Sequence, residues 1–130
     1  MTLLTNELLA LKKIALARAK DEAVEPDELL AYARELEREA QAHPTDEARW
    51  ANARRTAEIA QSYAAYQRLL READAVDFGD QVLLAIRLLE QHPDVRAAVA
   101  SRFPHLLVDE FQDTNYAQFR LLQLLAPATS

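Results

Sequence analysis

The chain has 130 residues, half of them hydrophobic and 28% charged, with a formal net charge of −6. That is room for one compact globular domain, too apolar for a disordered chain and too acidic for a protein that coats nucleic acid over its whole surface. A single glycine, five prolines and no cysteine exclude disulfides and thiolate metal sites, and leave little of the turn chemistry that sheets consume.

The first ten residues lack a basic stretch followed by an apolar core, and no apolar run approaches the roughly 20 residues that span a bilayer, so the expectation is a soluble cytoplasmic protein with no membrane partner. From Thr5 to about Lys20, Leu8, Leu11, Ile14, Ala15 and Ala19 recur at helical spacing, and Lys12, Lys13, Arg18 and Lys20 make the segment basic. Pro26 with Asp27 and Glu28 opens a second helix running to about Ala42, with Leu29, Leu30, Ala33, Leu36 and Ala40 on one side. His43 and Pro44 end it. Asp46 and Glu47 start a long third helix to about Ala73, in which Trp50, Ala53, Ala57, Ala60, Ala64 and Leu69 return near one face. Asp77 begins a fourth through Val82, Leu83, Ile86 and Leu89, stopped at His92 and Pro93, and a short fifth runs from Asp94 to about Arg102.

The pattern changes at Pro104. Leu106, Leu107 and Val108 stand consecutively before Asp109 and Glu110, which reads as a short buried parallel strand. Thr114 or Asn115 then caps a last helix through Phe119, Leu122 and Leu125, closed by Pro127. The expected fold class is mainly α: a helical bundle-like subdomain over 1–103, then one short orphan β-strand and a C-terminal helix over 104–130. Such a strand needs neighbours that the sequence does not supply, so it is expected to pack on its own helices, stay irregular, or self-associate with another copy.

Apolar residues followed by Asp-Glu make a Walker-B-like element. A strand delivers two acids where open α/β sheets bind ligands: one suited to nucleotide-bound Mg²⁺, the other to the water that attacks the γ-phosphate. For the acid pair alone, a solvated turn is the plainer account. The full string from Leu106 to Asn115 is more specific: it resembles motif II of the UvrD/Rep-type superfamily 1 DNA helicases, which reads Val-Asp-Glu-(Phe/Tyr)-Gln-Asp-Thr-Asn, then Gln and a Leu-rich helix. Asp109, Glu110, Phe111, Gln112, Asp113, Thr114, Asn115 and Gln118 supply each element, followed by Leu121 to Ala126. Upstream, Tyr63 to Leu70 is similar to the helix before that family's Asp-Phe-Asp-Asp-Leu segment, which here reads Asp77, Phe78, Gly79, Asp80, Gln81 and departs at Gly79 and Gln81. Ala17 to Asp21 with Pro26 resembles the start of the family's helical 1B subdomain, which would then span 1–103. The resemblance implies that Asp109 coordinates the metal, Glu110 activates water, both acids contact the cofactor, and Gln112 couples nucleotide state to neighbouring motifs.

A phosphate loop needs Gly-rich backbone followed by Lys and Ser/Thr. The only glycine is Gly79, and the only lysines, Lys12, Lys13 and Lys20, are not followed by Ser or Thr. The helicase motifs expected after motif II are also absent. The expectation is therefore a fragment of an ATP-dependent DNA helicase or translocase moving 3′ to 5′ on single-stranded DNA. Its parent would use Mg²⁺ and ATP and its partners would be the remaining helicase domains, while the chain alone would be catalytically silent with no cofactor bound. The alternative from another class is a stand-alone helical protein- or DNA-interaction module. A metal hydrolase built on Asp109, Glu110 and Asp113 is a third, disfavoured because motif II already accounts for the spacing.

Two basic groups are candidate DNA contacts: Lys12, Lys13, Arg18 and Lys20 in the first helix, and Arg54 with Arg55 in the third. For the third helix, where Arg49, Arg68 and Arg71 interleave with Glu47, Glu58 and Glu72, a charged solvent face is the simpler account given the net charge. Trp50, Tyr63, Tyr66 and Phe78 read as core or interface aromatics rather than base-stacking ones. His43, His92 and His105 are isolated and predict no zinc site.

Overall fold

Each helix begins where the sequence supplies a cap. The computed structural model describes residues 2–126, with side chains described from residue 10 onward; Pro127 and the side chain of Leu8 lie outside them. The elements are α1 (Thr2–Asp21), α2 (Pro26–Ala42), α3 (Glu47–Glu72), α4 (Phe78–Gln91), α5 (Pro93–Arg102), a 3₁₀ turn (Phe111–Asp113) and α6 (Tyr116–Leu125). Pro26 occupies the first turn of α2, where its missing N–H costs nothing, and the Glu28 carboxylate accepts from the Glu25 N–H at 2.8 Å. Asp46 caps α3 by accepting from the Arg49 N–H at 3.1 Å. Asp77 and Asp80 cap α4 reciprocally: Asp77 Oδ1 accepts from the Asp80 N–H at 2.9 Å, and Asp80 Oδ2 from the Asp77 N–H at 3.3 Å. His92 ends α4 and precedes Pro93, which opens α5.

The chain forms two units. The first comprises the residues up to Ala19 and Val24–Ala75; the second comprises Lys20–Ala23 and the residues from Val76 on. In the first unit α2 and α3 pack along each other as a helical hairpin. Its buried residues are Ala33, Ala40, Ala53, Ala60 and Tyr63, four of them small enough to let backbones approach closely. Tyr63 is fully buried and its hydroxyl donates to the Val24 carbonyl at 3.1 Å, satisfying the one polar atom that burial would otherwise strand. Trp50 and Tyr66 are half-buried.

In the second unit α4 packs on α6, and α5 on both. Ile86, Leu89, Ala117 and Leu124 form the core, flanked by Val82, Val95, Val99 and Leu121. Arg120 of α6 reaches Glu90 of α4 at 2.9 Å, at a half-exposed position where such a pair adds little. Phe78, expected inside, is 88% exposed.

One expectation is overturned. The described residues contain no strand: Leu106–Val108 has no regular structure, with Leu107 98% exposed and its neighbours over 40% exposed. The mainly α class stands without the β element. The reason is backbone hydrogen bonding. A strand is stable only when an adjacent extended segment takes up its N–H and C=O groups, and no described segment does so; with water as their partner, these groups gain nothing from regular extension. Among the described residues no helix is long and apolar enough to cross a membrane.

Candidate functional site

The acidic stretch lies in the second unit, between the irregular segment and α6. Glu110 takes a left-handed conformation (φ 52°, ψ 38°), which costs a side-chain-bearing residue of order 1 kcal/mol or more. That reversal lets its carbonyl accept from the Asp113 N–H at 2.9 Å and closes the 3₁₀ turn, continued by the Thr114 N–H on the Phe111 carbonyl at 3.1 Å. Side chains reinforce the turn. Asp109 Oδ1 accepts from the Glu110 N–H at 2.8 Å, and the Gln112 amide donates to the Glu110 carboxylate. Phe111 meets Phe119 of α6 edge-on, with centroids 6.3 Å apart at 70°. Asn115 then caps α6: its Oδ1 accepts from the Gln118 N–H at 2.8 Å, Gln118 Oε1 accepts from the Asn115 N–H at 3.2 Å, and Asn115 Nδ2 donates to Asp21 Oδ1 at 3.0 Å.

These elements line an open groove of about 450 Å³ that brings the carboxylates of Asp109, Glu110 and Asp113 together with Leu121, Leu122 and Leu125. Asp109, Glu110, Gln112 and Asp113 are all exposed; Gln112 does not line the groove and reaches it through Glu110. Carboxylate oxygens are the right donors for Mg²⁺, which commonly takes one or two of them and completes its shell with phosphate oxygens and water. Among the described residues no three potential ligands converge on a common point. The donor set therefore fits a metal that arrives on a nucleotide better than one caged by protein alone, and the metal-hydrolase alternative lacks its ligand cluster.

The basic candidates are spread out. Lys13, Arg18, Arg54 and Arg55 are exposed and Lys12 is half-buried. Lys20 differs from all of them. It is 2% exposed, with its ammonium 2.6 Å from Asp77 Oδ2 and 2.9 Å from Asp80 Oδ1, so its charge is committed inside the second unit. In α3, Arg49 pairs with Asp46 at 2.9 Å and Arg68 lies 3.8 Å from Glu72, in keeping with a charged solvent face there. Sequence reasoning missed the Lys20–Asp77–Asp80 cluster and the Asp21–Asn115 bond. One signal was present. The glycine of the Asp-Phe-Gly-Asp segment sits against Lys20, and a Cβ added at Gly79 would lie 2.6 Å from Lys20 Cδ.

Residues 3–130 match the family model of the UvrD/REP helicase N-terminal domain. The chain belongs to this family. Its curated relatives include the ATP-dependent DNA helicase PcrA of Leuconostoc citreum, 46% identical over 68 residues, covering 52% of this chain and 9% of that protein. PcrA of Staphylococcus aureus is 43% identical over 68 residues, with the same coverage of 52% and 9%. PcrA of Staphylococcus epidermidis is 39% identical over 83 residues, covering 64% of this chain and 11% of that protein. The aligned segments thus span about a tenth of the relatives' length. No solved structure matches. The family assignment agrees with the resemblance read from Asp109–Asn115 and makes the UvrD/REP helicases the frame for those acids.

Proposed function

We propose that this chain contributes the metal-and-water half of the ATPase site of a DNA helicase or translocase, and that it hydrolyses nothing by itself. The observation that carries this reading is the grouping of Asp109, Glu110 and Asp113 in one groove ahead of a capped α6, in a chain of the UvrD/REP family. Mg²⁺ carried on ATP would neutralise phosphate charge as the γ-phosphoryl group leaves. Asp109 is the residue to hold it, through water or directly, on giving up its bond to the Glu110 N–H. Glu110 takes the proton of the attacking water. The Gln112 amide, already on the Glu110 carboxylate, limits that carboxylate's freedom and links it to the remaining helicase domains. Backbone amides and a lysine to grip the triphosphate are not encoded in these 130 residues and come from elsewhere in the assembled enzyme. In this reading residues 1–103 act as the 1B-like subdomain and 104–130 return the chain to the ATPase core. Lys12, Lys13 and Arg18 are then the better-placed DNA contacts, ahead of Arg54 and Arg55, while Lys20 is held by its two aspartates.

The test is Glu110→Gln in the full-length helicase. Hydrolysis should fall by about 10²-fold or more, the scale of general-base loss, with ATP binding retained; the 130-residue chain should bind ATP negligibly. Hydrolysis that survives the substitution refutes the role given to Glu110.

A further inference from the structure

The geometry points to Asp21 and Lys20, at the end of α1, as positioning residues for the Asp109 and Glu110 carboxylates; this rests on the function proposed above. Asn115 stands two residues after Asp113, and it fixes where α6 begins. Its side-chain oxygen is used on the Gln118 N–H, so its amide nitrogen is free to point away from the helix, and it donates to Asp21, 94 residues distant in sequence. α6 in turn supplies Gln118, Leu121 and Leu122 to the groove that holds the acids. Asp21 is well placed to act as a fixed post because its neighbours are anchored. Lys20 is buried on the two carboxylates that cap α4, and Ala23 packs against the Ile86–Leu124 core. The path runs from α4 through Lys20 and Asp21 to Asn115, then to the start of α6 and the acidic turn before it.

Capping and positioning make different demands on residue 115. As a cap, Asp serves as well as Asn, since only an oxygen is needed. As the partner of Asp21 it cannot, because a second carboxylate there supplies no donor and repels the first. Reversing the pair restores the bond: with Asp21→Asn and Asn115→Asp together, the new amide at 21 donates to the new carboxylate at 115, whose other oxygen still caps α6.

The experiment compares Asp21→Ala, Asn115→Asp and the double exchange D21N/N115D. Amide hydrogen exchange over 109–118 is followed in the 130-residue chain, and kcat and KM for ATP in the full-length helicase. Each single variant should speed exchange about fivefold and lower kcat about fivefold at unchanged KM, the scale of one exposed hydrogen bond. The double exchange should return both to within about twofold of wild type. A double variant no better than Asn115→Asp alone overturns the proposal, as does exchange that ignores Asp21→Ala or a kcat that ignores the changes in exchange. Failure of the underlying function is seen separately, as ATP hydrolysis that persists in Glu110→Gln while the exchange data still follow the pattern.

Discussion

Replacing Lys20 by methionine isolates the charge from the packing. Methionine is unbranched and of similar length, so the stem that lies against Gly79 is kept while the ammonium between Asp77 and Asp80 is lost. The side chain of Asp80 is 6% exposed and that of Asp77 31%. Deleting one partner of a buried pair costs about 3–5 kcal/mol, because the remaining charge stays desolvated. Water reaches Asp77 and takes up part of that cost, which puts the expected loss at the low end, about 3 kcal/mol. For a small domain with roughly 5–15 kcal/mol of total stability, that is a large share. The assay is urea unfolding of the chain followed by circular dichroism, run as a cycle with Asp80→Asn and with K20M/D80N. A neutral amide at 80 still offers an oxygen to the Asp77 N–H and needs no counter-charge. The double variant should therefore cost about 2 kcal/mol less than the sum of the single ones. Because the cluster is buried, raising the salt concentration should leave the coupling nearly unchanged. A loss below about 1 kcal/mol for Lys20→Met, or strict additivity in the cycle, would refute the assignment of Lys20 to this cluster.

Gly79→Ala should destabilise the wild-type chain by about 1–3 kcal/mol, since its Cβ would meet three atoms of the Lys20 stem. With Lys20→Ala as background the same change should stabilise by up to about 1 kcal/mol through helix propensity, and denaturation reads the reversal of sign. Leu107→Glu should change the stability of the isolated chain by no more than about 0.5 kcal/mol, because the side chain is already in water; a larger loss on urea unfolding would mean that the segment is packed. Asp46 has a carboxyl held below its ordinary value of 3.8, chiefly because it accepts the Arg49 N–H, with the Arg49 guanidinium adding to the effect. A lowered folded-state pKa contributes stability that is present above the ordinary value and is lost as pH falls through the lowered one. Asp46→Asn keeps the cap without the titration, so stability measured below about pH 4 should fall less steeply than in wild type.

The helices were legible because their punctuation is local. Pro26, Pro44 and Pro93 mark boundaries, and Asp46, Asp77 and Asn115 cap the helices they were read to open or could open. The periodic residues Ala53, Ala60, Leu83, Ile86 and Leu89 are buried as their spacing predicts. Lys20 was not legible. By spacing it belongs with Lys12, Lys13 and Arg18 in a basic stripe, and only its contacts with residues 57 and 60 positions away separate it from them. The usable sign was the chain's one glycine, at the start of α4 where no positive φ is required. A glycine without a turn to make is there for close approach, and the neighbour it admits is the lysine stem.

The strand failed for a different reason, and that reason bears on how the acids work. Leu106, Leu107 and Val108 carry the pattern of a buried strand, but the pattern describes surroundings that a single segment cannot provide for itself. Fully burying one leucine side chain is worth about 1.5–3 kcal/mol, and Leu107 realises almost none of it in this chain. Docking the segment between the strands of a neighbouring sheet would recover that energy and pair its backbone. Because Asp109 and Glu110 follow at once in the chain, it would also fix their carboxylates from one side, as Asn115 and α6 fix them from the other. Completing the sheet and arming the acids would then be a single event. In that view the chain withholds hydrolysis for two independent reasons, the absence of a phosphate loop and the lack of a rigid support for Glu110, so supplying a phosphate loop on a separate polypeptide that cannot pair with residues 106–108 should not restore turnover.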